Sequence, residues 1–247
     1  MQAAKCPGQD RRNWKPEDIF DHNCPHCQTA MEFWKTDARV KCPGCGEHIM
    51  NPRFNLGCAL WCAYAEQCVG DISQIFAERP EALRDRLELE VRRYFIGESE
   101  RLKFTLEGGT IASRLLEVEK DVEPPVIIGA VLLHDAGYTH CKDEHQEEKE
   151  LQSCIREKSV ELAVKIMKEL KMPRPVQDKV KELILNNGEA ESTDTNGSLF
   201  LDIKELTTGK LTALQGDLSA DAKKKIIKKL RRKSSREFAE SILSGKS

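Results

Sequence analysis

Val126-Ile-Ile-Gly-Ala-Val-Leu-Leu-His134-Asp135-Ala-Gly137 is the stretch on which the reading of this chain turns. Eight apolar or small residues run up to an imidazole and a carboxylate, and Gly137 follows as the expected helix stop. A helix that is greasy until its last turn and then presents His and Asp puts two metal ligands at the edge of a core. That is how a buried hydrolytic metal centre would begin. The dipeptide alone is a weak signal, so its surroundings must carry the claim. The competing reading is a doublet that only hydrogen-bonds across helix ends.

The flanking residues predict helices on both sides. Pro124-Pro125 suits the first turn of the helix that carries the doublet. Upstream, Ala82, Leu83, Leu87, Val91 and Phe95 recur at three or four residues after Pro80, and Leu102, Leu106, Ile111, Leu115 and Val118 do so between Arg101 and Lys120. Gly108-Gly109 weakens the middle of that second helix. Downstream, Ile155 to Leu170 is amphipathic, and Pro173 and Pro175 introduce a helix ending near Asn186-Asn187-Gly188. Residues Glu189 to Ser198 read as a polar surface loop, and Leu199 to Leu206 as an apolar stretch with Asp202 inside it.

Composition agrees with a mainly α protein. Of 247 residues 32% are charged and only 6% aromatic, which suits helices with solvated faces better than an aromatic-rich sandwich. No stretch approaches the roughly 20 apolar residues that span a bilayer, and Met1 to Asp10 lacks the apolar segment of a signal peptide. A cytoplasmic location with no membrane partner is therefore expected.

Cysteine divides the chain. Eight of the ten lie between Cys6 and Cys68, leaving Cys141 and Cys154 for the rest. In a reducing compartment such a cluster reads as metal ligands before disulfides. Cys24-Pro-His-Cys27 and Cys42-Pro-Gly-Cys45 are two C-x-x-C knuckles with the spacing of a four-cysteine zinc site, and Gly46 permits the turn that aims backbone N–H groups at sulfur. Between them Met31 to Trp34 and Arg39 to Lys41 alternate like two strands joined at Thr36-Asp37, the hairpin of a zinc ribbon spanning 24–45. His26 and His48 flank the knuckles and are expected to be exposed bystanders. Cys6, Cys58, Cys62 and Cys68 form a second candidate set for zinc or an iron–sulfur cluster, against packing as small hydrophobes. These readings divide the chain into a Cys-rich region at 1–70, a helical domain at 71–218 and a basic tail at 219–247.

The order of these elements resembles the HD superfamily of metal-dependent phosphohydrolases. Val131-Leu-Leu-His134-Asp135-Ala-Gly137 matches the family's doublet, and Leu201-Asp202-Ile-Lys-Glu-Leu206 looks like its later aspartate segment. Cys6-Pro-Gly-Gln-Asp10, Trp14-Lys-Pro-Glu-Asp18 and Gly57-Cys58 through Cys68 look like the Cys-rich region fused to such domains in some bacterial members, and the likeness spans residues 5 to 206. The resemblance implies an HD-type helical bundle behind a small β zinc ribbon. It also implies that His134, Asp135 and Asp202 hold a divalent metal (Mn, Fe, Co, Ni, Zn or Mg) whose bound water attacks a phosphoester. The substrate class would be a nucleotide-like or other small phosphorylated molecule. The family's first histidine has no counterpart, because no histidine occurs between His48 and His134 and Phe104, Gly108 and Gly109 occupy the candidate positions. His140 or His145 could replace it, within a charged segment that also carries Thr139, Asp143 and Glu144. Asn186 and Asn187 stand where many relatives carry further histidines, and an amide oxygen is a poor substitute for imidazole.

From Ser219 onward ten Lys or Arg face three Asp or Glu, a net of +7 that leaves −9 for the preceding residues of a chain whose total is −2. Lys223 to Lys233 alternates with Ile226, Ile227 and Leu230 as one basic amphipathic helix that Phe238, Ile242 and Leu243 extend. Packing of its apolar stripe on the bundle is favoured over binding nucleic acid. Three functions thus stand side by side: an HD-type phosphohydrolase, a catalytically inactive HD-like ligand-binding or interaction module with a structural zinc ribbon, and a nucleic-acid-binding adaptor.

Overall fold

Each C-x-x-C pair closes its own hairpin. In the computed structural model, which describes residues 14–54, 79–144, 147–186, 195–216 and 218–243, β1 (Ile19–Asn23) pairs antiparallel with β2 (Ala30–Trp34), and β3 (Arg39–Lys41) with β4 (His48–Met50). The expected pairing of the Met31 to Trp34 segment with Arg39 to Lys41 is therefore corrected. Those strands belong to different hairpins, because each knuckle reverses the chain and leaves its two flanks facing each other. The reversals repeat one another: Gln28 N–H donates to Cys24 C=O and Gly46 N–H to Cys42 C=O, at 2.8 and 2.9 Å. Gln28 and Gly46 both take positive φ, +61° and +78°, so the glycine is the relaxed version of the same turn.

Among the described residues, very little apolar matter holds these hairpins together. Met31, Phe33 and Ile49 are buried with Cys24 and Cys42, and Phe20 and Val40 pack against them. The two hairpins are tied by buried Asn51, whose amide donates to the carbonyls of Trp34 and Asp37 at 3.1 and 2.9 Å. A core this small needs a staple.

The chain divides into two compact units, Met1–Ile72 and Ser73–Ser247. Among the described residues the second is all helical: α1 (Pro80–Tyr94), α2 (Ser99–Leu116), α3 (Pro124–Leu133), a short α4 (Tyr138–Cys141), α5 (Glu148–Glu169), α6 (Arg174–Asn186), α7 (Thr195–Leu214), α8 (Ala220–Lys229) and α9 (Lys233–Ile242). No described helix is long and apolar enough to cross a membrane. Among the described residues the protein is mainly α, 64% helical against 8% strand.

α3 is the axis of this unit. Every residue from Val126 to Leu133 is buried, because α1, α2, α5, α6 and α7 pack around it. The glycines explain how so many helices approach it. A methyl group on Gly109 would lie 2.9 Å from Leu132 Cδ2, and one on Gly108 3.1 Å from Val131 Cγ1. Gly108-Gly109 therefore does not interrupt α2; the pair lets α2 seat closely on α3. Gly137 is corrected likewise. It does not end α3 in a left-handed turn, since its φ is −77°, and its missing Cβ would strike Lys158 Cβ and the backbone of Ile155 and Ser159 at 2.6 to 2.8 Å.

Two further expectations change. Thr195 to Ser198 belongs to α7 and not to a loop, and buried Asn196 accepts the Glu123 N–H at 2.8 Å, fixing the start of α3. The tail is two helices and not one. Leu230 is buried in an extended conformation between them, and Arg231 and Arg232 give their N–H groups to Asp202 in place of a helical partner. Cys141 and Cys154 form a disulfide joining α4 to α5, a pairing that sequence reading missed although these were the two cysteines left outside the Cys-rich head.

Candidate functional site

Cys24, Cys27, Cys42 and Cys45 bring their sulfurs within 4.8 Å of one another and could hold a metal such as zinc. Cys24 and Cys45 Sγ are 3.7 Å apart, Cys27 and Cys42 Sγ 3.5 Å. Sulfurs about 2.3 Å from a tetrahedral zinc would be separated by about 3.8 Å, so the cluster has the size of a Zn–S4 site. Gly44 N–H points at Cys42 Sγ at 3.3 Å, the kind of donor that tunes a bound thiolate.

Charge makes the same point. Hydrogen bonding to Thr29 draws the Cys27 thiol down to about 6. Cys45 is pushed up to about 12: the Glu47 N–H favours its thiolate, and burial together with the other three sulfurs outweighs it. Four thiols crowded in this way cannot all ionise without a cation among them. His26 and His48 are exposed and stand outside the cluster. The second candidate set, Cys6, Cys58, Cys62 and Cys68, lies outside the described residues, as do His145 and Asn187.

The doublet sits where the sequence put it, at the end of α3. His134 is 6% exposed, and its Nδ1 lies 2.9 Å from Val131 C=O, which fixes the proton on Nδ1 and leaves the Nε2 lone pair facing Asp135. Burial draws the imidazole down to about 4 against the opposing pull of Asp135, so it is neutral at pH 7. Its ring is walled by Phe104, 6.2 Å away, and by Phe200, 5.7 Å away and edge-on. Phe104 is one of the positions where the family's first histidine was sought, and a phenyl ring offers no ligand atom.

Asp135 is occupied by cations. Arg101 Nη1 donates to its Oδ2 at 2.8 Å while the guanidinium lies over the Tyr138 ring at 4.0 Å. Burial alone would raise the Asp135 carboxyl; His134, Arg101 and Lys204 together outweigh it and hold it below its ordinary value.

Asp202 does not join the pair. Its two oxygens accept the backbone N–H groups of Arg231 and Arg232 at 2.8 and 2.9 Å, and it is fully buried in doing so. Helix geometry gives the reason. Phe200 and Lys204 are four apart and share the α7 face turned to the doublet, whereas Asp202 lies about 200° round from Phe200. Lys204, on the face of α7 that carries Phe200, instead adds positive charge that acts on Asp135. Among the described residues, the four cysteines are the only group of three or more His, Cys, Asp or Glu gathered closely enough to hold an ion. His140 is exposed on α4, whose neighbour Thr139 is bonded to Tyr94 C=O at 2.9 Å, and it supplies no third ligand. Among the described residues, those around the doublet do not fit a metal. No family model matches this chain, no curated protein matches it and no solved structure matches it.

Proposed function

We propose that this chain is an HD-like helical ligand-binding module carried with a structural zinc ribbon, and that it does not use the metal-dependent hydrolysis which its doublet suggests. The observation that carries this reading is the Arg101–Asp135 ion pair at 2.8 Å. A guanidinium on the one carboxylate beside His134 fills the place a divalent cation would need. Lys204 and Arg101 also supply positive charge that would repel such a cation. Zinc is the metal assigned to the four cysteines, because four thiolates with tetrahedral spacing favour it.

The hydrolytic reading keeps one supporting feature. His134 is neutral, with Nδ1 held by a backbone carbonyl and Nε2 open, which is the state of a ligating histidine. Elemental analysis of the purified full chain separates the two readings. A metal content that falls with Cys24→Ser and Cys42→Ser and is unchanged in a His134→Ala, Asp135→Ala variant supports the module. Manganese, iron or another divalent ion that disappears only in the latter variant would restore the phosphohydrolase.

A further inference from the structure

The two faces of α8 carry different chemistry. Ala222, Lys223, Ile226 and Ile227 are half-buried, and Leu230 just beyond the helix is 3% exposed. Gly209 of α7 is the reason: a methyl group there would lie 2.9 Å from Ile226 Cδ1 and 2.9 Å from Leu243 Cδ2, so the tail seats where α7 has no side chain. Asp221, Lys224, Lys225, Lys228 and Lys229 fill the opposite, exposed face at the spacing of one helical stripe. Packing on the bundle thus uses one face and turns a row of lysines outward on the other.

Other cations of the tail are matched by acids. Arg232 meets Glu119 and Asp121, Lys233 meets Glu237 at 3.5 Å, and Lys229 meets Glu205 of α7 at 3.2 Å. Among the described residues no acid pairs with Lys224, Lys225 or Lys228. The tail's surplus positive charge therefore gathers on the outer stripe of α8. Arg236 Nη2 donates to Arg231 C=O at 2.7 Å, which keeps a further guanidinium close to the C-terminal end of that helix.

A partner for this stripe must be a polyanion met by charge alone. The apolar side of α8 is already seated on α7, so no apolar face is left to enter a membrane. The exposed stripe has no aromatic ring to stack an unpaired base, and no hydroxyl or amide side chain to engage a 2′-hydroxyl. Lysines are flexible point charges, suited to a regular run of phosphates and not to bidentate readout of bases. A helix of 10 residues is about 15 Å long, and a DNA duplex sets about nine charges along that length. We propose that Lys224, Lys225 and Lys228 bind the phosphate backbone of duplex DNA without reading its sequence. The stripe shares no residue with the His134–Asp135 doublet, so this proposal stands or falls independently of the ligand-binding reading.

Fluorescence anisotropy with the full chain and two labelled duplexes of unrelated sequence tests it. Both duplexes should bind alike, with a Kd below about 100 μM at about 50 mM salt, and affinity should fall about 40-fold by about 200 mM salt, as release of three counterions requires. Changing Lys224, Lys225 and Lys228 together to Gln should weaken binding by about tenfold or more and flatten its salt dependence, while changing all three to Arg should preserve it. Lys103→Gln, Lys168→Gln and Lys181→Gln together remove the same charge from exposed sites on α2, α5 and α6, and should leave binding within about threefold of the parent. All these variants should melt with the parent, since every altered side chain is exposed. An equal loss in the scattered variant would show that net charge alone acts and overturns the site, as does the absence of duplex binding. Phosphatidylserine vesicles or polyglutamate bound in place of the duplex would overturn it in favour of a membrane or an acidic protein, and a preference for duplex RNA or single strands in favour of RNA.

Discussion

Asp202 on α7 receives the backbone N–H of Arg232, the residue that opens α9, at 2.9 Å. The carboxylate that the HD resemblance assigned to a metal thus holds the tail in place. Arg232 itself reaches the carboxylates of Glu119 and Asp121 with its guanidinium, and Ser234 bonds Glu119. The end of the chain is clamped to two separate parts of the bundle.

Asp202→Ala should destabilise the helical unit by about 2–4 kcal/mol, because two hydrogen bonds to a buried charge are lost and their donors are stranded. Denaturant melts measure the loss, and limited proteolysis should cut first near Leu230. Bound metal should not change.

The same clamp should loosen in acid. Glu119 has its carboxyl held below the ordinary value of 4.5, chiefly by the Arg232 guanidinium. A carboxyl depressed in the folded state adds stability above its unfolded value and loses that contribution as pH falls through the folded value. Proteolytic release of α9 should therefore rise below about pH 4.5 in the parent and be much less pH-dependent in Glu119→Gln, which starts from the loosened state.

Removing the metal from the four-cysteine site should unfold the strands between Ile19 and Met50 while most helical circular dichroism survives, since the buried core there holds few apolar side chains beyond the ligands. Near-ultraviolet signal from Trp34, and thiol titration before and after chelation, report it. Cys24→Ser should behave like the chelated protein.

Gly137→Ala should cost about 1–3 kcal/mol, although alanine is the better helix former, because the new methyl meets backbone atoms of α5 at 2.7 and 2.8 Å that cannot rotate away. A melting temperature above that of the parent would show that α4 can move off α5.

Cys141→Ser should lower stability by about 3 kcal/mol under oxidising conditions, the entropy of closing a short loop, and by far less with reductant present. Equal losses in both conditions would mean that the serine acts on packing alone.

Local chemistry made much of this legible in the sequence. Two C-x-x-C knuckles at the right spacing announced the thiolate cluster, because chain reversal and ligand identity are both encoded within four residues. Apolar periodicity announced α1, α2, α5 and α6, and the unbroken run Val126 to Leu133 announced a helix buried on every side. The sequence also shows that Phe104, Gly108 and Gly109, and no histidine, occupy the positions where the HD resemblance asks for one.

What the sequence left open depended on which way a side chain faces once helices cross. Asp202 and Lys204 are two residues apart and differ by about 200° around α7, so whether a carboxylate or an ammonium meets His134 is set by the rotation of α7 against α3. The use of Asp202 as an anchor for Arg231 and Arg232 needed a return of the chain from 29 and 30 residues away. Gly108, Gly109 and Gly137 looked like weak points or stops along the chain, and crossing helices gave them their purpose as places of close contact. Ligand type and helical period are properties of neighbours in sequence; convergence of charges is a property of neighbours in space, and only the packed helices decided it.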